Sequence, residues 1–168
     1  MTIRREGPAD HRAVEELTRD AFWGLFAPRC DEHLVVHLLR GSPALVPELD
    51  VVAEVDGELV GHVVYSRARV VEPTTGAEHP VLTFGPLSVR PDRQGDGIGG
   101  ALMRHTLAAA AELGHRAVVV YGHPDYYPRF GFRPAAAVGI TAPGGASFDA
   151  LLALPLVPGG LDGVTGEF

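Results

Sequence analysis

The stretch Leu87-Ser88-Val89-Arg90-Pro91-Asp92-Arg93-Gln94-Gly95-Asp96-Gly97-Ile98-Gly99-Gly100-Ala101-Leu102 constrains the fold more than any other part of the chain. Residues 81–89 read as a strand, interrupted by Gly85-Pro86. Proline cannot donate to a sheet ladder, so this strand must be bulged or bent there, or lie at an unpaired edge. Ile98, Leu102, Ala109 and Leu113 recur on one helical face, and Gly114 suits the end of that helix. Between strand and helix, four of the six residues 95–100 are glycine. Glycine weakens a helix start relative to alanine, so the run needs a reason. The first N–H groups of a helix lack internal partners and carry the positive end of its dipole. Glycine lets an anion approach them without obstruction by side chains. The physical reading is a diphosphate cradle of main-chain N–H groups.

Two other readings compete. A tight strand-to-helix turn that binds nothing leaves the glycine run unexplained. Gly95-x-Gly97-x-x-Gly100 also satisfies the dinucleotide pattern, which would make the protein a nicotinamide-dependent enzyme. That pattern wants an acidic residue at the end of the next strand for the ribose hydroxyls. Here that strand ends Tyr121-Gly122-His123, and too few strands follow for a doubly wound sheet. A nucleotide P-loop is excluded, because no Lys-Ser or Lys-Thr follows the glycines.

The rest of the chain supplies the context. A first strand is expected over 2–5, then a helix after Asp10 as N-cap with Val14, Leu17 and Ala21 facing inward. A second helix over 31–40 would place Leu34, His37 and Leu38 on one face, stopped by Gly41-Ser42-Pro43. Residues 51–55 and 58–71 read as a hairpin turned at Asp56-Gly57, and 72–80 as a loop. Residues 117–121 read as a strand buried on both faces, 123–130 as a short helix, and 138–142 and 151–157 as the last strands. The tail after Pro158 should be irregular. The order of elements is that of an α/β (α+β) domain with a parallel crossover. At 168 residues, one domain over 1–168 is expected. A net charge of −7 argues against nucleic acid and mildly favours a cationic partner. One cysteine, Cys30, excludes an intramolecular disulfide. Together with an N-terminus lacking an apolar core and apolar runs too short to span a bilayer, it suggests a cytoplasmic protein with no membrane partner.

Gln94-Gly95-Asp96-Gly97-Ile98-Gly99 matches the Gln/Arg-x-x-Gly-x-Gly/Ala signature of the GNAT N-acetyltransferases. Downstream, Tyr126-Tyr127-Pro128-Arg129-Phe130-Gly131-Phe132 resembles that family's aromatic–Tyr–x–x–x–Gly–Phe segment. Phe84-Gly85-Pro86-Leu87-Ser88-Val89 and His123-Pro124-Asp125-Tyr126-Tyr127 resemble its YhbS-like branch more closely still. The resemblance covers about 3–156 and is strongest over 84–132. It implies a mixed sheet of about six or seven strands, splayed between the fourth and fifth and flanked by about four helices.

It also implies acetyl-CoA as cofactor and an amine as acceptor, either a small molecule or a peptide. The pantetheine arm would pair with the main chain of the fourth strand at Leu87, Ser88 and Val89. Gln94, Gly95, Asp96, Gly97, Ile98, Gly99 and Gly100 would hold the diphosphate. Tyr127, also against the cofactor, would be the acid that protonates the leaving thiolate. The family's usual glutamate on the fourth strand is absent from 81–89. His123, Glu32, His33 or water could replace it as base, with His123 taken first because a histidine titrates near neutrality. Without turnover, the same shell would be an acyl-CoA sensor or scaffold. His33 and His37 lie four apart, but no third ligand is evident, so no metal is expected. Cys30 reads as a small semi-buried thiol. The acceptor pocket would draw on 21–40, where Ala21-Phe22-Trp23-Gly24-Leu25-Phe26 reads as helix packing into the core, and on 138–148. A monomer or a homodimer is expected, with Leu151, Leu152, Leu154, Leu156 and Val157 as a possible dimer edge.

Overall fold

The structure is a computed structural model that describes residues 1–24 and 30–168. Leu25 and Phe26, from the aromatic stretch noted above, lie outside the described residues. The chain divides into two compact units, residues 1–66 with 84–109, and residues 67–83 with 110–168. Two long strands, β3 (Glu58–Val71) and β4 (Glu78–Val89), contribute to both.

The first unit holds β1 (Thr2–Arg5), α1 (His11–Phe22), α2 (Glu32–Leu39), β2 (Val51–Val55), the start of β3, the end of β4 and most of α3 (Ile98–Glu112). β1, β2 and β3 form an antiparallel ladder in which Arg4 faces Val52 and Val52 faces His62, with a register shift between Ala53 and Glu54. Asp56 and Gly57 both take positive φ, 52° and 82°, the geometry that joins twisted strands through two residues. Val14, Val36, Val52 and Val64 pack α1 and α2 onto one face of this sheet. On the opposite face α3 comes very close. A Cβ on Gly61 would lie 2.8 Å from Ile98 Cγ2, 2.9 Å from Leu102 Cδ1 and 3.3 Å from the Ser88 carbonyl. Gly61→Ala is therefore expected to lower stability by about 1–3 kcal/mol through overpacking. Denaturant unfolding checks this, and an unchanged midpoint would show that α3 can back away freely.

In the second unit β4 pairs in parallel with β5 (Ala117–Tyr121) at Leu82 and Val118. β8 (Leu151–Pro155) pairs antiparallel with β5, and β6 (Arg133–Pro134) pairs with β8. β9 (Gly166–Glu167) joins β7 (Ile140–Thr141) and the end of β3. Val70, Val81, Val119, Ile140, Leu151 and Ala153 belong to its core.

Several expectations are corrected. Nine strands appear among the described residues, three of them only two residues long, and three α-helices rather than about four. Residues 127–130 form a 3-10 turn, not an α-helix. β4 starts at Glu78, so the preceding loop is shorter than expected. The tail ends in β9 instead of remaining irregular throughout. The expected break in β4 at the proline is not among these corrections: β4 pairs with β5 at Leu82, before Gly85-Pro86, where Gly85 takes a φ of 141°. β8 lies between β5 and β6, so its apolar residues fill the sheet and do not form an outer edge. On α2 the buried residue is Val36, while Leu34 and Leu38 are exposed. Trp23 is 69% exposed and does not pack into the core. Asp10 stands at the N-cap position without capping α1; its carboxylate accepts from the Gly7 N–H at 2.8 Å and from Arg4 at 2.7 Å.

Candidate active site

In the first unit, β4 runs out through Val89 into a 3-10 turn at Pro91–Arg93, then Gln94, then the glycines. Gly95 and Gly97 take φ of 91° and 82°, and a Cβ at either would meet no atom within 4 Å. These positions need glycine for their backbone conformation, and the space over them is open. The Ala101 N–H donates to the Gly97 carbonyl at 3.0 Å, so the amides of Ile98, Gly99 and Gly100 precede the first full turn of α3. The Gln94 and Asp96 amides are turned inward, donating to the Pro91 and Arg93 carbonyls at 3.4 Å. Charged side chains of the loop are paired close to home. Arg90 donates to Asp92 at 2.6 Å and to Glu58 at 2.8 Å, and Arg93 donates to Asp96 at 2.8 Å. The Gln94 side chain donates to the Val89 carbonyl at 3.2 Å and ties the loop to the strand end. The Asp96 carboxylate and amide both face Arg93, so Asp96 shapes the loop.

Leu87 and Val89 are half-buried, whereas Ser88 is fully buried. The Ser88 hydroxyl donates to Thr18 Oγ1 on α1 at 3.1 Å. Ser88 therefore offers a ligand only its backbone. The Arg104 guanidinium sits 3.4 Å from where a Cβ on Gly100 would be, one helical turn above the cradle.

In the second unit, β5 ends at Tyr121, and Gly122 follows with its N–H donating to the Ala150 carbonyl at 2.8 Å. The Tyr127 ring lies directly over Gly122. A Cβ there would fall 2.6 Å from Tyr127 Cδ2 and nearer still to Cε2. Tyr126 and Phe132 pack edge-on to Tyr127, with ring centroids 5.1 and 5.7 Å away. Burial, and then the neighbouring Tyr126, push the Tyr127 phenol up to about 12. Tyr126 touches Tyr127 and is also held by Phe130 and by Arg129, whose guanidinium stacks 4.5 Å from its ring centroid. Gly122→Ala is expected to displace the Tyr127 ring, changing the near-UV circular dichroism and costing about 1–3 kcal/mol. A variant with native spectrum and midpoint would mean that the ring has room to spare.

His123 is exposed, and its Nδ1 accepts from the Asp125 N–H at 3.3 Å. Its carbonyl accepts from the Tyr126 and Tyr127 amides, so His123 organises the turn that carries both phenols. Glu32 is half-buried at the start of α2. His33 Nδ1 is buried without a hydrogen-bond partner among the described residues, and His37 Nδ1 lies 3.0 Å from Glu15. Cys30 is buried, with Sγ donating to the Arg19 carbonyl at 3.7 Å; burial, the largest influence, raises its thiol above the usual range, which marks an unreactive one. In the expected acceptor stretch 138–148, Phe148 is 57% exposed.

Sequence reading missed a polar cluster in the first unit. His62, fully buried on β3, lies 2.8 Å from Asp50 and 4.0 Å from Glu6. These three bring ligand-type atoms within 4.8 Å of one another. Those atoms are engaged with each other and with Arg40, which donates to Glu6 at 2.7 Å.

The Acetyltransferase (GNAT) domain family model matches residues 48–134, slightly more than half of the chain. The chain belongs to the GNAT acetyltransferases. Among curated GNAT relatives, the uncharacterized N-acetyltransferase YjhQ of Escherichia coli K12 is 35% identical over 81% of this chain and 71% of its own length. The uncharacterized N-acetyltransferase YhbS of the same strain is 31% identical over 99% of this chain and 93% of its own. The crystal structure of Escherichia coli YhbS in complex with CoA has a TM-score of 0.84 and 30% identity, covering 99% of this chain and 87% of that one. A Brucella melitensis GNAT acetyltransferase in complex with acetyl-CoA has a TM-score of 0.75 and 34% identity, covering 94% and 88%. The GNAT fold expected from the two signatures is thereby shown. The GNAT signatures mark the glycine loop and Tyr127, but not Gly122 or Arg104. A glycine five residues before the signature tyrosine, and an arginine four after the last cradle glycine, were the only signals for those two.

Proposed function

We propose that this protein transfers the acetyl group of acetyl-CoA to a primary amine by direct attack on the thioester. The observation that carries this reading is the loop 94–100, where positive-φ glycines open a helix N-terminus beneath unobstructed space. The CoA and acetyl-CoA complexes of its relatives support the same cofactor. In this reading Gly95, Gly97, Ile98, Gly99 and Gly100 hold the diphosphate through main-chain groups. Gln94 and Asp96 shape the loop, and Arg104 adds charge. The backbone of Leu87, Ser88 and Val89 pairs with pantetheine. The amine nitrogen bonds to the thioester carbonyl carbon, the carbon–sulfur bond breaks, and the thiolate accepts a proton or hydrogen bond from Tyr127. With its phenol pushed up to about 12, Tyr127 keeps that proton across the neutral range. His123 Nε2 is proposed to take the proton the amine loses.

The domain is proposed to extend over 1–168, beyond the family match, in a cytoplasmic protein that is a monomer or homodimer. No helix among the described residues is long and apolar enough to cross a membrane. A second reading, an acyl-CoA sensor without turnover, is favoured by the absence of any carboxylate from 81–89. Calorimetric titration with acetyl-CoA, with NADH and ATP as controls, tests the cofactor. Saturable binding of acetyl-CoA alone supports the reading, and binding of NADH alone overturns it. Thiol release with a panel of small-molecule and peptide amines then separates enzyme from sensor.

A further inference from the structure

The buried cluster of the first unit plays no part in the chemistry above, yet its arrangement is costly. Glu6 and Asp50 have side chains only 1% and 10% exposed, and His62 is fully enclosed. Glu6 follows β1, Asp50 precedes β2, His62 lies on β3, and Arg40 ends α2, so four elements meet here. Arg40 donates to Glu6 at 2.7 and 3.3 Å, to the His11 carbonyl at 3.3 Å and to Glu15 on α1; Glu15 in turn contacts His37. Nearby Arg4 is held by Asp10 and Glu54, and Arg5 by the Pro47 carbonyl. Arg40 is thus the one arginine that reaches the Glu6–Asp50 pair among these groups. The His62 ring has Nε2 on Asp50 and Nδ1 without a hydrogen-bond partner among the described residues. Two carboxylates this close in a buried site resist being ionised together.

We propose that Glu6 and Asp50 share one proton, and that its release tightens the hold of Arg40 on Glu6, so that the seating of α2 follows the protonation of this buried pair. Burial, the largest influence, with Asp50 beside it, raises Glu6 to about 7 against the opposing pull of Arg40. Burial, the largest single influence, would raise Asp50, but its bonds to His62 and Glu6 together with the Arg40 charge lower it on balance. Burial lowers His62, which favours its neutral form. The direction follows from linkage. With Glu6 enclosed whether or not α2 is seated, Arg40 in place lowers the proton affinity of Glu6, so loss of the proton favours Arg40 in place. As pH rises through about 7, α2 is held more firmly. The effect of Glu6 on global stability has the opposite sign. A raised carboxyl contributes fully below its ordinary value of 4.5 and loses that contribution as pH rises through about 7. Tighter α2 at higher pH therefore cannot be a by-product of Glu6's effect on global stability. If α2 borders the amine acceptor, which rests on the proposed activity, acceptor KM falls over the same range while kcat is unchanged.

The test does not depend on activity. Carboxyl carbon NMR should find Glu6 titrating near neutrality, and Asp50→Asn should lower that midpoint by at least about one pH unit. Amide exchange over α2, corrected for intrinsic rate, should slow by about threefold or more from about pH 6 to 8. Glu6→Gln should remove that dependence. Glu6 titrating below about pH 5, an unmoved midpoint in Asp50→Asn, or α2 protection that is flat with pH would each overturn the proposal. Should Glu6→Gln fail to fold, the Asp50→Asn midpoint decides alone.

Discussion

Gly97→Glu is expected to weaken acetyl-CoA binding by about 100-fold or more while leaving the protein folded. Two costs combine. At φ 82° an L-residue is strained by roughly 1–2 kcal/mol. A carboxylate would also stand where the proposed cradle receives a diphosphate, and like charges repel. A Cβ at this position touches nothing, so the core is not disturbed and the loss can be assigned to the ligand. Gly97→Ala carries only the conformational cost and should lose about tenfold. Gly97→Asn, which tolerates positive φ, should lose less than Ala. Calorimetry of the series checks the order. Full affinity in Gly97→Glu would remove loop 94–100 from the binding site.

Tyr127→Phe is expected to lower kcat by about 10²–10³-fold with little change in acetyl-CoA affinity. Phenylalanine keeps the ring over Gly122 and against Tyr126 and Phe132, and deletes only the proton that the thiolate would receive. Because the phenol is raised to about 12, no fall in wild-type rate from its ionisation should appear below about pH 11. Gly122→Ala offers a complement, since it retains the hydroxyl and moves it. Steady-state kinetics over pH distinguishes the roles. Unchanged turnover in Tyr127→Phe would leave Tyr127 as a wall residue.

Sequence patterning located the hairpin well, because Asp56-Gly57 between β-branched runs leaves little choice of turn or register. β5 was equally legible as a short apolar run. The buried face of α2 was not. Leu34 and Leu38 gave an apolar period, but the face turned inward carries Val36 and Arg40, because Arg40 reaches a buried carboxylate that is distant in sequence. Two-residue strands such as β6 and β9 are too short to show a period, and only the partners beside them define them. In the candidate site, the glycine run and Tyr127 stood out by motif. Gly122 did not, since its requirement comes from a ring packed over it and not from a turn. The Glu6–Asp50–His62 cluster left no trace in sequence. The three lie far apart along the chain, with no motif linking them, and only the β-ladder and the turn before β2 bring them together.

The pairing of Arg90 and Arg93 with Glu58, Asp92 and Asp96 sets how fast a ligand could arrive. Two cations against three carboxylates leave these loop side chains without a positive field, on a chain of net charge −7. The amides of the proposed cradle and the single cation of Arg104 act at short range against that net negative charge, so an incoming polyanion would meet repulsion until it is nearly docked. Added salt screens that repulsion over a Debye length of about 8–10 Å near physiological strength. Stopped-flow association of acetyl-CoA should therefore accelerate with ionic strength, the reverse of an electrostatically steered encounter.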